Sequence, residues 1–236
     1  MRLSMPKLIV YGTGRKVTTE FTMAFARGAM KMPGWSVKHV PISHYNNYGW
    51  DETVLPGDAV ASLGILRGTG MMYKEAQNRG VDYYYMDHAY FNSGYSGKGW
   101  MRITKNGHSC TTLRDVGSGR WKAVKGKNRV QPWRYNHERG SKIIICPPTN
   151  AVAWYQGIQY DWGATVKGKL EAMLPPEEHS RIIIRNKPTE PIVDNIGNLI
   201  EIRRNVQEGS LEDDLRNAHC VIAYNSICLL YTSPSP

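Results

Sequence analysis

Three short stretches of the chain group residues able to do chemistry. Asp87-His88 stands just after a tyrosine-rich run, Val81 to Met86, and is followed by Ala89-Tyr90-Phe91-Asn92 and glycines at 94, 97 and 99. A carboxylate beside an imidazole at the carboxyl end of a strand can deprotonate a hydroxyl, and histidine titrates close to the pH at which such a base must work. The competing reading is a turn in which Asp87 caps backbone amides and His88 packs. Further on, Arg185-Asn186-Lys187-Pro188 places two cations at the end of the run RIIIR, and Tyr224-Asn225-Ser226 follows the run Cys220 to Ala223. Together they can hold a diphosphate, with Arg185 and Lys187 supplying charge and helix-start amides plus the Ser226 hydroxyl as donors. Taken singly, each is more often an ordinary surface or capping group. Near the N-terminus, Gly12-Thr13-Gly14-Arg15-Lys16 follows an apolar run. Val17 occupies the third glycine position of the dinucleotide fingerprint and no acid ends the second strand, so a Rossmann cofactor site is not expected. A tight turn exposing Arg15 and Lys16 at a sheet's carboxyl edge, where ligands of open α/β sheets bind, remains.

Charge is concentrated in one place. The 236 residues carry a formal charge of +10, and from Arg102 to Lys142 there are eleven Lys and Arg against two acids, Asp115 and Glu138. The rest of the chain is close to neutral. Arg120, Lys122, Lys125, Lys127, Arg129 and Arg134 alternate there with Trp121, Trp133 and Tyr135. Cations neutralise phosphates and aromatic faces stack on bases or sugars, so the segment reads as acceptor- or nucleic-acid-binding. A solvated basic linker is the plainer reading. Either way it divides the chain.

Other classes fall away. No apolar run approaches the roughly 20 residues a membrane-spanning helix needs, and the N-terminus carries no signal-peptide pattern. Cys110, Cys146, Cys220 and Cys228 are scattered, so neither a disulfide framework nor a metal site is expected, and a cytoplasmic location follows. Cys146 and Cys220 lie in apolar runs and read as core. His108 and His137 stand in polar surroundings without a role.

The elements that must position these residues alternate between strand and helix. Lys7–Tyr11, Trp35–Ile42, Asp58–Leu66 and Val81–Met86 read as strands. A helix with Phe21, Ala24, Phe25, Gly28 and Ala29 on one face precedes Pro33-Gly34, and Gly68–Arg79 is a second. After the basic stretch, Lys142–Cys146, Arg181–Arg185, Leu199–Ile202 and Cys220–Ala223 read as strands, with helices at Asp161–Met173 and from Ser210 to about Ala218. Ser210 and Asp213 resemble a capping box. The pattern predicts an α/β protein of two parallel-sheet domains, 1–105 and 142–227, joined by a basic connector, 106–141. The tail 228–236 resembles the translated frame of a sequencing adaptor. The natural chain is therefore expected to continue past Ile227, and the second domain to be incomplete.

Three places resemble the GT-B glycosyltransferases related to capsular polysaccharide (Kdo-transferase-like) enzymes, and phage proteins similar to them. They are Asp82–Phe91 (DYYYMDHAYF) with Trp100–Asn106, Arg181–Pro188 (RIIIRNKP), and Ser210–Ser226 (SLEDDLRNAHCVIAYNS). Thr189 stands where the capsule enzymes carry a histidine after Lys-Pro. The resemblance implies two Rossmann-like domains, with a nucleotide sugar as co-substrate and no bound cofactor. It implies donor contacts from Arg185, Lys187, Tyr224, Asn225 and Ser226, and Asp87 or His88 as base. The acceptor side would use Arg15, Lys16 and the basic segment with Trp133. A hydroxymethylated base in phage DNA is one acceptor that would suit the charge. A non-catalytic nucleic-acid-binding protein using residues 102–142 is the alternative.

Overall fold

The computed structural model describes residues 5–89, 100–109, 119, 140–206 and 209–224. Contacts divide the chain into two compact units, Met1–Trp121 with Ile196–Asn198 and Lys122–Asn195 with Leu199–Pro236. Both are α/β with parallel strands.

The first unit opens with β1 (Lys7–Gly12), whose run LIVYG is buried throughout. Strands so apolar need cover on both faces, which parallel sheets provide with crossover helices. Helix α1 (Lys16–Ala29) leads to β2 (Ser36–Pro41), then α2 (Ile42–Tyr48), β3 (Ala59–Leu63), α3 (Thr69–Asn78), β4 (Asp82–His88) and β5 (Met101–Lys105). The strand order is β2-β1-β3-β4-β5, with the first four parallel and β5 antiparallel to β4. Asp58 is wholly buried, and its carboxylate accepts from the amides of Lys7 and Leu55, pinning the starts of β1 and β3 together.

The two faces of this sheet differ in chemistry. Under α1 lie Leu8, Val10, Ala59, Ala61, Leu63 and Met86, closed over by Phe21, Phe25 and Ala29. Thr22 and Ala26 are the buried residues of that helix. Ala24 and Gly28, expected on the same face, are exposed. The correction is one of phase, because the seam follows 22 and 26 with 21, 25 and 29. On the opposite face α3 delivers Tyr73, whose ring meets Tyr83 at 5.1 Å and Tyr85 at 5.7 Å between centroids. Its hydroxyl donates to the Ser62 carbonyl, and the Ser62 hydroxyl donates to the Tyr11 carbonyl at 2.7 Å. This face is held by buried hydrogen bonds as well as by apolar contact.

In the second unit the sheet is β10-β6-β7, all parallel, from β6 (Lys142–Cys146), β7 (Ile182–Ile184) and β10 (Ala218–Ala223). Between β6 and β7 come α4 (Asn150–Gln156), α5 (Trp162–Met173) and a 3-10 turn, Pro176–Arg181. Trp162, Val166, Leu170 and Leu174 pack on Ile143, Ile145 and Ile182. Gly163 permits this docking, since a Cβ there would lie 3.3 Å from Pro147. A separate hairpin pairs β8 (Thr189–Val193) with β9 (Leu199–Arg204). Leu199–Ile202 therefore belongs to a two-stranded ribbon and not to the parallel sheet. Helix α6 (Leu211–Arg216) is capped by Ser210, whose hydroxyl oxygen accepts from the Asp213 amide at 3.0 Å. The Asp213 carboxylate takes the Ser210 hydroxyl instead of a backbone amide. Cys146 is buried as expected, but Cys220 is exposed. It lies on β10, which among the described strands pairs only with β6, and the register shifts there between Ala218 and Cys220. None of the described helices is long and apolar enough to cross a membrane.

Candidate functional site

The carboxyl edge of the first sheet carries an open cleft of about 540 Å3, lined by Gly12, Gly14, Lys16, Thr19, Glu20, His39 and Pro41. Each wall follows from the local fold. Gly14 turns the chain out of β1 at φ +78, and Arg15 then takes the extended N-cap position of α1 without a side-chain cap. Arg15 and Lys16 are thereby exposed, as the sequence predicted. Gly12 leaves room for the His39 ring from β2, because a Cβ on it would lie 3.0 Å from His39 Cε1. His39 Nε2 sits 3.0 Å from Thr22 Oγ1. The Thr22 hydroxyl already donates to the Thr19 carbonyl, so Nε2 donates to it and Nδ1 is the acceptor nitrogen. Burial holds the His39 pKa below its ordinary value of 6.5, which keeps the ring neutral at pH 7.

Asp87 and His88 end β4 at the same edge. Alternation along a strand sends them to opposite faces. Asp87 is on the tyrosine side, where its carboxylate accepts from the Tyr85 hydroxyl at 2.7 Å and from Arg102 at 3.3 Å. Its other oxygen accepts from the His88 amide at 2.8 Å. Arg102 reaches it because β5 pairs Asp87 with Arg102, and its guanidinium also lies over the Tyr85 ring. His88 lies on the α1 side, opposite Met101. Burial lowers its pKa, and the Asp87 charge opposes that shift. The two side chains therefore do not form one proton-transfer pair.

In the second unit the ends of β6, β7 and β10 converge. The Arg185 amide donates to the Ile145 carbonyl at 2.7 Å and the Tyr224 amide to the Cys146 carbonyl at 3.3 Å. Trp162 stands edge-on to the Tyr224 ring, 6.0 Å away. The Arg185 side chain turns to Asp214 on α6, which also takes Lys142 at 2.7 Å, and its other nitrogen donates to the Gly209 carbonyl at 2.9 Å. Arg185 and Asp214 are each 9% exposed at the side chain. Lys187 is exposed, and its carbonyl accepts from Asn205. Of the residues expected to hold a donor, Arg185 and Tyr224 thus share one sheet edge, but the guanidinium of Arg185 is occupied by a carboxylate.

Asn225, Ser226, Arg120, Lys122, Lys125, Lys127, Arg129, Trp133 and Arg134 lie outside the described residues. Among the described ones, no three His, Cys, Asp or Glu side chains gather as metal ligands would. His108 is buried against Tyr85, with ring centroids 4.8 Å apart, and its Nδ1 lies 3.3 Å from the Ser109 hydroxyl. Sequence reasoning passed over His39, Arg67 and Arg102. Strand pairing brings in the first and third, and no local spacing marks them. Arg67 carried a signal, because it lies inside Gly64-Ile-Leu-Arg-Gly68, a stretch whose glycines announce unusual backbone.

Comparison with known proteins adds no relative: no protein family matches the chain, and neither a curated protein nor a solved structure shows significant similarity to it.

Proposed function

We propose that the chain is a glycosyltransferase of the two-domain GT-B kind, moving a sugar from a nucleotide sugar to an acceptor hydroxyl. The first unit takes the acceptor side and the second the donor side. What supports this most is that each unit is an α/β sheet whose parallel strands end in their own set of polar groups. These are Gly12 to Lys16 with His39 in the first, and Lys187 and Tyr224, beside an Arg185 already paired with Asp214, in the second. Open parallel sheets bind ligands outside their strands' carboxyl ends. In the reaction, the acceptor oxygen attacks the anomeric carbon, the bond from that carbon to the nucleotide's phosphate oxygen breaks, and the nucleotide leaves with the electron pair. A base removes the acceptor proton. His88 suits that task, since burial keeps its imidazole neutral at pH 7. Asp87 is the alternative base, with the Tyr85 hydroxyl and Arg102 competing for its oxygens. We assign Lys187, Asn225 and Ser226 to the donor, and the basic residues 120–134 to an anionic partner such as modified phage DNA.

The test is release of free nucleotide from a panel of nucleotide sugars, with saccharides and hydroxymethylated DNA as acceptors. Acceptor-dependent release that His88→Ala abolishes is the expected result. DNA binding that falls steeply with salt, ignores every nucleotide sugar and accompanies no turnover would replace this reading with that of a nucleic-acid-binding protein.

A further inference from the structure

Strand order in the first unit reverses at β1, since β2 lies on one side of it and β3 on the other. Helices α1 and α3 leave on opposite faces of the sheet. The β1–α1 and β3–α3 turns therefore part at this point and leave a crevice, the place where open α/β sheets take ligands. Parallel register with Tyr11 opposite Ser62 brings Arg15 and Arg67 to the same edge, each a few residues past its strand.

Arg67 is held there in an unfavourable conformation. Its φ is +65, a region that costs an ordinary L-residue energy and that glycine adopts freely. Two non-glycine residues among those described have positive φ, and the other, Asn106, has a local reason. Its side chain takes the Tyr83 amide and donates to Asp82, and asparagine tolerates this region. Arg67 has no comparable compensation from its own side chain. The surroundings fix it instead: Asn46 on α2 donates to its carbonyl at 3.1 Å, and Gly68 beside it has φ +91 with no room for a Cβ. Thr69 ties the turn down through the Gly64 and Leu66 carbonyls. Arg67 is half-buried and Arg15 exposed, and among the described residues neither forms an ion pair with a carboxylate. Burial first, and then the charge of Arg15 at the same sheet edge, push Arg67 below its ordinary pKa. Strained backbone held by an over-determined frame is characteristic of ligand-contacting positions.

We propose that the crevice between the β1–α1 and β3–α3 turns is a phosphoryl-binding subsite, in which Arg15 and Arg67 clamp one phosphate group of the ligand. A dianionic or diester phosphate relieves the repulsion and offers the paired oxygens that guanidinium groups engage. As a statement about the acceptor's charge, the subsite rests on the acceptor-side reading of the first unit, but its binding test involves no sugar transfer.

Inorganic pyrophosphate, titrated calorimetrically into the whole chain at low salt, is the first probe. Saturable binding is expected, with Arg67→Gly raising Kd by about tenfold or more and Arg15→Ala by several-fold. Because glycine fits φ +65 better than arginine, Arg67→Gly should hold or raise the thermal midpoint without ligand, which separates lost binding from lost folding. A short DNA duplex distinguishes the source of the phosphate. An equal loss of duplex affinity in Arg67→Gly identifies phosphodiesters, and loss of pyrophosphate binding alone identifies a small phosphorylated ligand. Pyrophosphate affinity unchanged in Arg67→Gly, or no saturable uptake by the native chain up to about 10 mM, overturns the subsite. Either result leaves the sugar-transfer reading standing, and absent turnover leaves the subsite standing.

Discussion

Arg185 in the second unit and Arg67 in the first both stand past the carboxyl end of a parallel strand. Their surroundings divide them. Arg185 lies in ordinary backbone and meets Asp214, a carboxylate it shares with Lys142. Arg67 lies in the left-handed region and has Arg15, not an acid, as its charged neighbour. A cation at a sheet edge is thus a fastener when the fold supplies its counter-charge, and faces outward for a ligand when the fold withholds it. Folding stability and ligand binding should respond oppositely at the two positions.

Removing the counter-charge in the second unit gives the largest effect. Asp214→Asn leaves the nearly buried Arg185 without its acid, and a loss of about 3–5 kcal/mol is expected in denaturant unfolding. A loss below about 1 kcal/mol, in the range of exposed pairs, would erase the contrast. Next comes the frame around Arg67. Gly68→Ala collides with Asn46 Oδ1 and forces φ +91 on an alanine, so a cost of about 1–3 kcal/mol follows by the same measurement. Arg67→Gly should move the other way, gaining about 1 kcal/mol from relief of the left-handed backbone, less the entropy that glycine adds to the unfolded chain. A clear destabilisation would mean that Arg67 holds the turn together as Arg185 holds its helix.

The smallest expected effect involves neither arginine. Folding disfavours the protonated forms of His39 and His88, whose pKa values lie below the ordinary 6.5. Unfolded imidazoles take up protons first as the pH falls. The stability present above pH 6.5 is therefore lost progressively below it, down through the folded values. Unfolding midpoints at pH 7.5 and 5.5 should show this decline, and His39→Gln should flatten it. An equally steep decline in His39→Gln would assign the dependence to other groups.

The sequence was most legible where burial is continuous. KLIVY and KIIIC could hardly be anything but strands covered on both faces, and the glycines around Arg15 marked a turn. Helices α2 and α4, of seven residues each, are too short for a 3.6-residue period to stand out. Strand β8 contains Pro191, which argues against a strand and is tolerated because the hairpin has only two strands. Side chains joined by register were hidden for a different reason. That His39 packs on Gly12, or that Arg102 meets Asp87, depends on which strands are neighbours, and no local window contains that information. Asp87 and His88 were visible as neighbours in sequence, yet the pleat that makes β4 a strand is what separates them.

The tyrosine layer beneath α3 gives the first unit an internal optical gauge. Burial, aided by the Asp51 and Glu75 charges, pushes the Tyr11 phenol up to about 12, and Tyr85 is raised as well. Their hydroxyls stay protonated in alkali that ionises an exposed phenol near pH 10. Ultraviolet absorbance of phenolate from these rings would then appear only when that face of the sheet comes apart, so the unit signals its own opening without any added dye.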